Sequence, residues 1–230
     1  HQAMRNILLF VFVGLLTQLP IGFFFAILLY YTKHGQKFFK AVYFIPMILP
    51  VTATGLLWQF ILKPNETGVL NNLLMKLGME NLCTGWLVDS KTAMICIILV
   101  TTWASVAYYI VIGLAALNSI PEDILESATI DGANTWKKVI YIMIPMIWPT
   151  VVTLIVLGLT SILTLYLQPV LFNLNNNETI AGTIFNGVSD GSKTQYPYYA
   201  AFGLLFSFIL APTILYIRKV ISKKYSDTDC

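Results

Sequence analysis

The chain has 230 residues, of which 57% are hydrophobic and only 11% are charged. Because a water-soluble globular protein normally carries about 25% charged residues, this composition excludes that class. The net charge of +3, without basic clusters interleaved with aromatic residues, gives no case for nucleic-acid binding.

The charges are clustered and leave five long apolar intervals along the chain. Because a helix needs about 20 apolar residues to cross a bilayer, the intervals predict spans one to five at about 5–31, 41–62, 92–117, 146–169 and 197–219. Each span is predicted to be helical, since the runs lack the polar alternation of a membrane β-barrel. We therefore predict an all-α fold, a polytopic transmembrane helix bundle that forms one domain over residues 1–230.

The N-terminus begins at His1 and enters the first span almost at once. We expect an earlier segment, with one possible further span, to be missing. The first apolar run is longer than the core of a secretory signal and leads into a basic turn, which favours a permanent span. Cys83, Cys96 and Cys230 show no metal-like spacing, and we interpret them as incidental.

Lysine and arginine residues are unevenly divided between the two sides of the predicted bundle. One side has Lys33, Lys37, Lys40, Lys137, Lys138, Arg218, Lys219, Lys223 and Lys224, and the other has Arg5, Lys63, Lys76, Lys91 and Lys193. The positive-inside rule assigns the richer side to the cytoplasm. We therefore predict that the one–two loop, the three–four loop and the C-terminal tail are cytoplasmic.

The interiors of the spans contain no ionisable residue that could load a coupling ion, as proton- or ion-driven carriers commonly require. His1 and His34 lie outside the spans, which excludes the paired-histidine site of a membrane metalloprotease. The chain also has no G-x-x-x-x-G-K-[ST] phosphate loop, since Gly191-Ser192-Lys193 lacks the first glycine and a following helix. The sequence thus offers no catalytic residue, and uphill transport would need energy from a separate cytoplasmic subunit.

The cytoplasmic connection at residues 119–145 is predicted to form a short helix, a turn and a second helix. Ser119 and Glu122 make a plausible capping box, and Pro121 lies where a missing amide does no harm. Glu122 and Asp123 would meet the positive end of the helix dipole. Its start is therefore well marked.

The end of this first loop helix is predicted at Gly132, in the left-handed conformation that glycine favours. Either Asn134 or Asp131 would then cap the helix that returns to the membrane. Ile124, Leu125 and Ala128 are predicted to share one side and to form an apolar knob for a partner subunit. The alternative is that this side packs against the chain's own bundle.

Three motifs of this loop are Glu126-Ser127-Ala128, Asp131-Gly132-Ala133 and Ile142-Met143-Ile144-Pro145. They resemble the E-A-A, D-G-A and I-x-L-P signature of the membrane permease subunits of binding-protein-dependent ABC importers, particularly the sugar-type group. Ser127 replaces the first alanine of that signature and is also small.

The resemblance covers most of the chain. It continues in the segments 38–46, 49–50, 55–58 and 68–71, which read FFKAVYFIP, LP, GLLW and GVLN. The predicted outer loop at 173–195 departs from it, because Asn175-Asn176-Asn177-Glu178-Thr179 stands where such permeases often have a Gly-Gly-Gly-Pro stretch. This departure bears on the solute more than on the family.

The resemblance implies the fold of a type I ABC importer permease in a bacterial or archaeal cell membrane. It implies three kinds of partner: a dimer of ATP-binding subunits that hold ATP and Mg, a second permease subunit, and an extracytoplasmic solute-binding protein. This chain itself would need no cofactor or metal. The residues expected to couple it to the ATP-binding subunit are Ile124, Leu125, Glu126, Ser127, Ala128, Asp131, Gly132 and Ala133.

Polar residues that share a helix face predict the solute pathway, because rows of hydroxyls and amides are unfavourable against lipid. The candidates on spans three and four are Thr101, Ser105, Tyr108, Ser161, Thr164 and Gln168, with Thr160 in the same stripe. In the resembled family the middles of these two spans line the central cavity, and a sugar would match hydroxyls and amides. The alternative is that they only bond neighbouring helices, as in many membrane bundles.

Three other functions remain open from the sequence. The first is an ABC permease for a polyamine, a phosphate or an osmolyte, since importers share the loop signature. The second is a membrane-embedded enzyme, against which stands the lack of any buried acid, base or metal ligand. The third is a purely structural assembly subunit.

Overall fold

The computed structural model describes residues 2–32, 36–172, 179–189 and 195–226, and helix is the only repetitive structure in these ranges. The helices are α1 (Gln2–Tyr31), α2 (Gln36–Ile48), α3 (Val51–Ile61), α4 (Val69–Lys76), α5 (Ser90–Asn118), α6 (Glu122–Ile130), α7 (Thr135–Lys138), α8 (Ile144–Met146), α9 (Trp148–Leu163), α10 (Leu167–Leu171), α11 (Ile180–Ser189) and α12 (Tyr196–Ser226). Short 3₁₀ turns lie at Asn65–Thr67 and Glu80–Leu82, and a π turn lies at Val139–Met143. The predicted all-α class is confirmed.

Four helical segments are long and apolar enough to cross a membrane: Ala3–Tyr31, Thr92–Asn118, Trp148–Leu171 and Tyr196–Ile221. They correspond to predicted spans one, three, four and five. Each is close to or longer than the roughly 20 residues that the hydrocarbon core requires. The bundle that these helices form is therefore the predicted one at four of its five spans.

Predicted span two is present as a broken pair of helices and not as one continuous helix, so the structure has four unbroken candidate spans, or five with this pair counted as one. Its two halves, Ala41–Ile48 and Val51–Ile61, meet at an angle of 101°. Pro50 stands at the break with φ −55° and ψ 140°, so it has left the helical conformation. It lacks an amide hydrogen and disfavours helix in the residue before it, which explains the interruption.

The segment 173–195, predicted as an outer loop, contains a further helix, α11. Residues 173–178 and 190–194 lie outside the described residues, but Thr179 begins the helix and is fully buried. Its Oγ1 accepts a bond from the Gly182 amide at 3.1 Å and donates to the Leu165 carbonyl. With ten residues α11 is too short to span a bilayer, and it packs against α12 and α10.

Two apolar cores lie at opposite ends of the bundle, which is centred on the packing of α1 along α5. The inner core consists of Ala26, Leu29, Ile110, Leu114, Leu117, Ile120, Val139, Met143, Ile147 and Val151. The outer core consists of Ile7, Phe10, Ala93, Ile97, Val100, Ile162, Phe172 and Ile180. Both cores draw on α1, α5 and α9, so these three helices run through both.

The layer between the two cores is polar and closely fitted around one tyrosine. Thr17 of α1 and Thr102 of α5 are joined by their hydroxyls at 3.2 Å. The buried Tyr109 lies between Gly22 of α1 and Gly158 of α9, where any Cβ would overlap the tyrosine. Glycine is required at both positions because the three helices approach so closely here.

Candidate functional sites at an exposed loop and a polar cavity

The start of α6 differs from the predicted capping box. Ser119 ends α5, and its hydroxyl donates to the Ala116 carbonyl at 2.7 Å. Pro121 takes the N-cap position of α6 without a side-chain cap. Only three residues separate the two helices, so Ser119 serves the free carbonyls of α5 instead. Glu122 and Asp123 do lie in the first turn of α6, as predicted.

The end of α6 has the two hydrogen bonds of a Schellman motif. Gly132 has φ +77°, its amide donates to Thr129 O at 3.0 Å, and the Ala133 amide donates to Ala128 O at 2.9 Å. Asn134 caps the next helix, since its Oδ1 accepts from the Lys137 amide at 2.9 Å. The predicted left-handed glycine is confirmed, and Asn134, not Asp131, is the cap.

The apolar side of α6 is turned toward the bundle more than the knob prediction requires. Ala128 is buried, and Leu125 is half-buried against the inner core. Only Ile124, at 38% exposure, remains an exposed member of the predicted trio. The prediction of one exposed knob is therefore wrong for Ala128 and Leu125, because the chain's own packing covers these two side chains.

The exposed face of this loop has a composition that the sequence reasoning missed. Ile130 is 87% exposed and Trp136 is 72% exposed, although both are large and apolar. The carboxylates exposed beside them belong to Glu122, Asp123, Glu126 and Asp131. The sequence did contain a signal for this exposed surface, namely the apolar Ile130 directly before the Asp131-Gly132-Ala133 turn. Lys137, next to Trp136, is also exposed, so the surface offered to a partner combines large apolar side chains with charges of both signs.

One side-chain bond holds the two parts of the loop together, and a second one joins the π turn to the bundle. Lys138 Nζ donates to Thr129 Oγ1 at 2.6 Å, joining the second loop helix to α6. The Tyr31 hydroxyl donates to Met143 Sδ at 3.4 Å, joining the turn to α1. The amide of Ile144 reaches back to Val139 O, five residues earlier. Pro145 follows at once and cannot extend the α-helical ladder across this point.

A small cavity of about 60 Å³ lies in the polar layer between α1, α5 and the ends of α9 and α10. Four of the six predicted pathway residues line it: Thr101, Ser105, Ser161 and Gln168. Gln18 of α1 also lines it, and this amide is only 4% exposed. A lone glutamine in the middle of predicted span one was the signal for it, but the predicted pathway residues all lie on spans three and four.

Tyr108 and Thr164 are not brought into this cavity. Tyr108 is 37% exposed, and its ring packs edge-on against Tyr109 at 6.0 Å. Thr164 ends α9 and donates to the Thr160 carbonyl at 2.8 Å. The predicted stripe is therefore divided: Ser161 and Gln168 line the cavity, whereas Thr164 is exposed on the surface, because α9 ends at that point.

Within the described ranges, no group of three or more His, Cys, Asp or Glu side chains lies close enough to hold a metal ion. Cys83 and Cys96 are free thiols. The candidate sites are accordingly the exposed loop and the polar cavity.

Residues 18–225 match the family model described as the binding-protein-dependent transport system inner membrane component. A probable ABC transporter permease of Pyrococcus horikoshii is 38% identical over 161 residues, covering 70% of this chain and 55% of that protein. The diacetylchitobiose uptake system permease of Streptomyces coelicolor is 32% identical over 179 residues, covering 75% of this chain and 50% of that protein. The chain thus spans about half the length of the curated relatives it matches.

The fold matches that of a chain in the crystal structure of a bacterial ABC transporter for the acidic polysaccharide alginate. The TM-score is 0.83 at 23% identity, over 96% of this chain and 78% of that one. A chain of the MetNI methionine ABC transporter matches with a TM-score of 0.61 at 16% identity, over 96% and 93% of the two chains. The apolar helices, the fold and the family model agree: this chain belongs to the family of membrane-embedded, multi-pass components of binding-protein-dependent transport systems.

Proposed function

We propose that the chain is a permease subunit of an ATP-driven importer that moves a sugar or an oligosaccharide. An extracytoplasmic binding protein delivers the solute, and a second permease subunit completes the pathway. A dimer of ATP-binding subunits, which hold ATP and Mg, supplies the energy. The observation that carries the proposal is helix α6, which is exposed on one face, ends in a Schellman motif and is bonded through Thr129 to Lys138.

The proposed coupling surface is α6 with the turn that follows it. Its residues are Ile124, Leu125, Glu126, Ser127, Ala128, Asp131, Gly132 and Ala133, to which the exposed side chains add Ile130 and Trp136. The exposed apolar side chains would enter a cleft of the ATP-binding subunit, and the exposed charges of both signs would favour complementary charges at the edge of that cleft. Closure of the ATP-binding dimer would then displace α6 and rock the bundle.

We propose that the segment 119–145 and the C-terminal tail face the cytoplasm. The uneven distribution of lysine and arginine supports this orientation. It would place α6 on the side where ATP is available. The exposed turn at Asn65–Thr67 would then face outward, toward the binding protein.

The proposed pathway includes Thr101, Ser105, Ser161 and Gln168, which line the cavity. Tyr108 and Thr164 lie outside the cavity but remain part of the proposed pathway. Hydroxyl and amide groups both donate and accept hydrogen bonds, as sugar hydroxyls do. The sugar assignment is also supported by the diacetylchitobiose uptake system among the relatives.

Copurification tests this function. An affinity-tagged chain, expressed with its neighbouring genes, is expected to bring down an ATP-binding subunit and a second permease. The ATPase activity of that complex should rise when a sugar-loaded binding protein is added. Recovery of no ATPase would contradict the proposal, whereas stimulation by a polyamine or phosphate alone would contradict only the solute.

A further inference from the structure

The amide of Gln18 lies in the middle of an apolar helix without a hydrogen-bond partner among the described residues. Its side chain is 4% exposed, and it lines the polar cavity. A buried amide without a partner is costly, and the cost is greater where the surroundings are lipid and apolar core. A polar group inside the cavity, from water or from a solute, would supply the missing partner.

The space around Gln18 is built by its neighbour one turn earlier. A Cβ on Gly14 would lie 2.8 Å from Ile162 Cδ1 and 3.6 Å from Gln18 Nε2. The absence of a side chain at Gly14 therefore lets α1 and α9 approach while the amide still faces the cavity. Four further polar side chains meet it there, from Thr101, Ser105, Ser161 and Gln168.

The lining carries no charge. Its remaining members are Phe10, Gly14, Ile98, Ile162 and Leu165, so none of the ten residues is ionisable. An ionised solute would find no counter-charge on this wall, and stripping its hydration shell would be uncompensated. An uncharged solute with several hydroxyls would find both donors and acceptors on the amides and hydroxyls.

The volume of about 60 Å³ admits water-sized groups and is too small for a sugar ring. A solute can therefore reach Gln18 only when α1 separates from the ends of α9 and α10. We propose, on the basis of the transport function proposed above, that Gln18 contacts the solute in the opened cavity and selects uncharged, polyhydroxylated solutes.

Thiol labelling of the assembled transporter tests whether Gln18 faces an aqueous path, independently of the solute. In a background without the natural cysteines, Gln18→Cys is expected to react with a small water-soluble methanethiosulfonate in at least one state, with or without ATP. Leu16→Cys is the matched control, because Leu16 lies on the same helix and its side chain is 58% exposed on the outer surface of the bundle. Labelling of Leu16→Cys alone, or of neither, would overturn the proposal.

Uptake of radiolabelled disaccharides tests the selectivity. With diacetylchitobiose, lactose and maltose as neutral probes, Gln18→Leu is expected to lower kcat/KM by about tenfold or more, because the solute loses its amide partner. Gln18→Asn should retain part of the uptake, and Thr17→Val, which removes the Thr102 bond outside the cavity lining, should retain most of it. The amount of complex in the membrane is measured for each variant.

The outcomes separate the two proposals. If the wild type carries a neutral probe and Gln18→Leu carries it equally well, the role of Gln18 is refuted while the transport function stands. If the wild type prefers an alginate disaccharide, the selection of uncharged solutes is refuted. If it moves no sugar and its ATPase responds to no sugar-loaded binding protein, the proposed function itself fails.

Discussion

Gly132 is the residue on which the geometry of the coupling surface depends most directly. Its φ of +77° lies in the left-handed region, and a Cβ placed there would meet no atom within 4 Å. The penalty for any other residue is therefore purely conformational, about 1–2 kcal/mol for most L-residues and more for β-branched ones.

We expect Gly132→Val to uncouple ATP hydrolysis from transport, because the Schellman bonds of Thr129 and Ala128 would be strained. Gly132→Asn is the matched control, since asparagine tolerates this conformation and adds a side chain of similar size. Solute uptake and ATPase activity are measured together in membrane vesicles. Normal uptake by Gly132→Val would count against the coupling role.

The two glycines around Tyr109 predict a selective rescue. A Cβ at Gly158 would overlap the Tyr109 hydroxyl, whereas a Cβ at Gly22 would overlap Tyr109 Cβ. Either alanine variant should lose about 1–3 kcal/mol of stability through overpacking. Tyr109→Phe removes only the hydroxyl, so it should restore Gly158→Ala but not Gly22→Ala. Thermal melting in detergent measures this, and equal rescue of both variants would contradict the packing described.

At the level of residues, conformations and caps set by nearby positions in the sequence were predictable, whereas the tertiary partner of a side chain was not. Gly132 and Asn134 follow from rules that involve only a few neighbouring positions. Ser119 was assigned to the wrong helix end, because a serine between two helices can bond to either one. Gln18 was missed because its importance depends on which helices surround α1, and that is a property of the tertiary structure.

At the level of elements, α6 presents one face to the bundle and the opposite face to solvent. Ile130 and Leu125 belong to the same helix, but Ile130 is 87% exposed while Leu125 packs on the inner core. The periodicity of apolar residues located the helix, but it did not tell which apolar residues face inward. The inward face is the one that carries Leu125 and Ala128, and tertiary packing selects it.

This division predicts opposite effects from two similar truncations. Ile130→Ala should leave the melting temperature almost unchanged, since exposed positions contribute little to stability, but it should weaken binding of the ATP-binding subunit by about 1 kcal/mol or more. Leu125→Ala should lower the stability of the bundle by about 1–2 kcal/mol. Melting curves and pull-down of the ATP-binding subunit distinguish the two. If Ile130→Ala destabilised the isolated chain instead, the exposed-face interpretation would be wrong.

The bent second span and the helix α11 show where element prediction stops. Pro50 explains why the helix is interrupted at this point, but the angle of 101° also depends on tertiary packing, in which α3 contacts α10. Helix α11 was overlooked because ten residues fall below the length that identifies a span, and an asparagine-rich stretch precedes it.

At the level of the whole molecule, the distribution of charge predicts the orientation in the membrane. Glu66 and Trp136 are both exposed, one near the turn before α4 and the other in the segment after α6. In a background without the natural cysteines, Glu66→Cys should react with a membrane-impermeant thiol reagent on intact cells or spheroplasts. Trp136→Cys should react only after the membrane is opened. The reverse pattern would invert the proposed orientation.

The whole bundle was more predictable than its interior. Charge-free intervals located four continuous spans, because the thickness of the bilayer fixes the length of any helix that crosses it. The separation into two apolar cores with a polar layer between them was not predicted. It arises from the register in which α1, α5 and α9 pack. That register is a relation among three separate helices and cannot be predicted from any one of them.

This arrangement of two cores constrains how the molecule changes shape. Helices α1, α5 and α9 are members of both cores. When one of these helices tilts as a rigid body, its two ends therefore move in opposite directions. The polar layer, with its cavity, is the level at which such a tilt requires the least rearrangement of packed apolar side chains. A pull on α6 that draws the inner ends together would therefore spread the outer ends, with the close contact of Gly22, Tyr109 and Gly158 as the pivot, and the cavity at Gln18 would open.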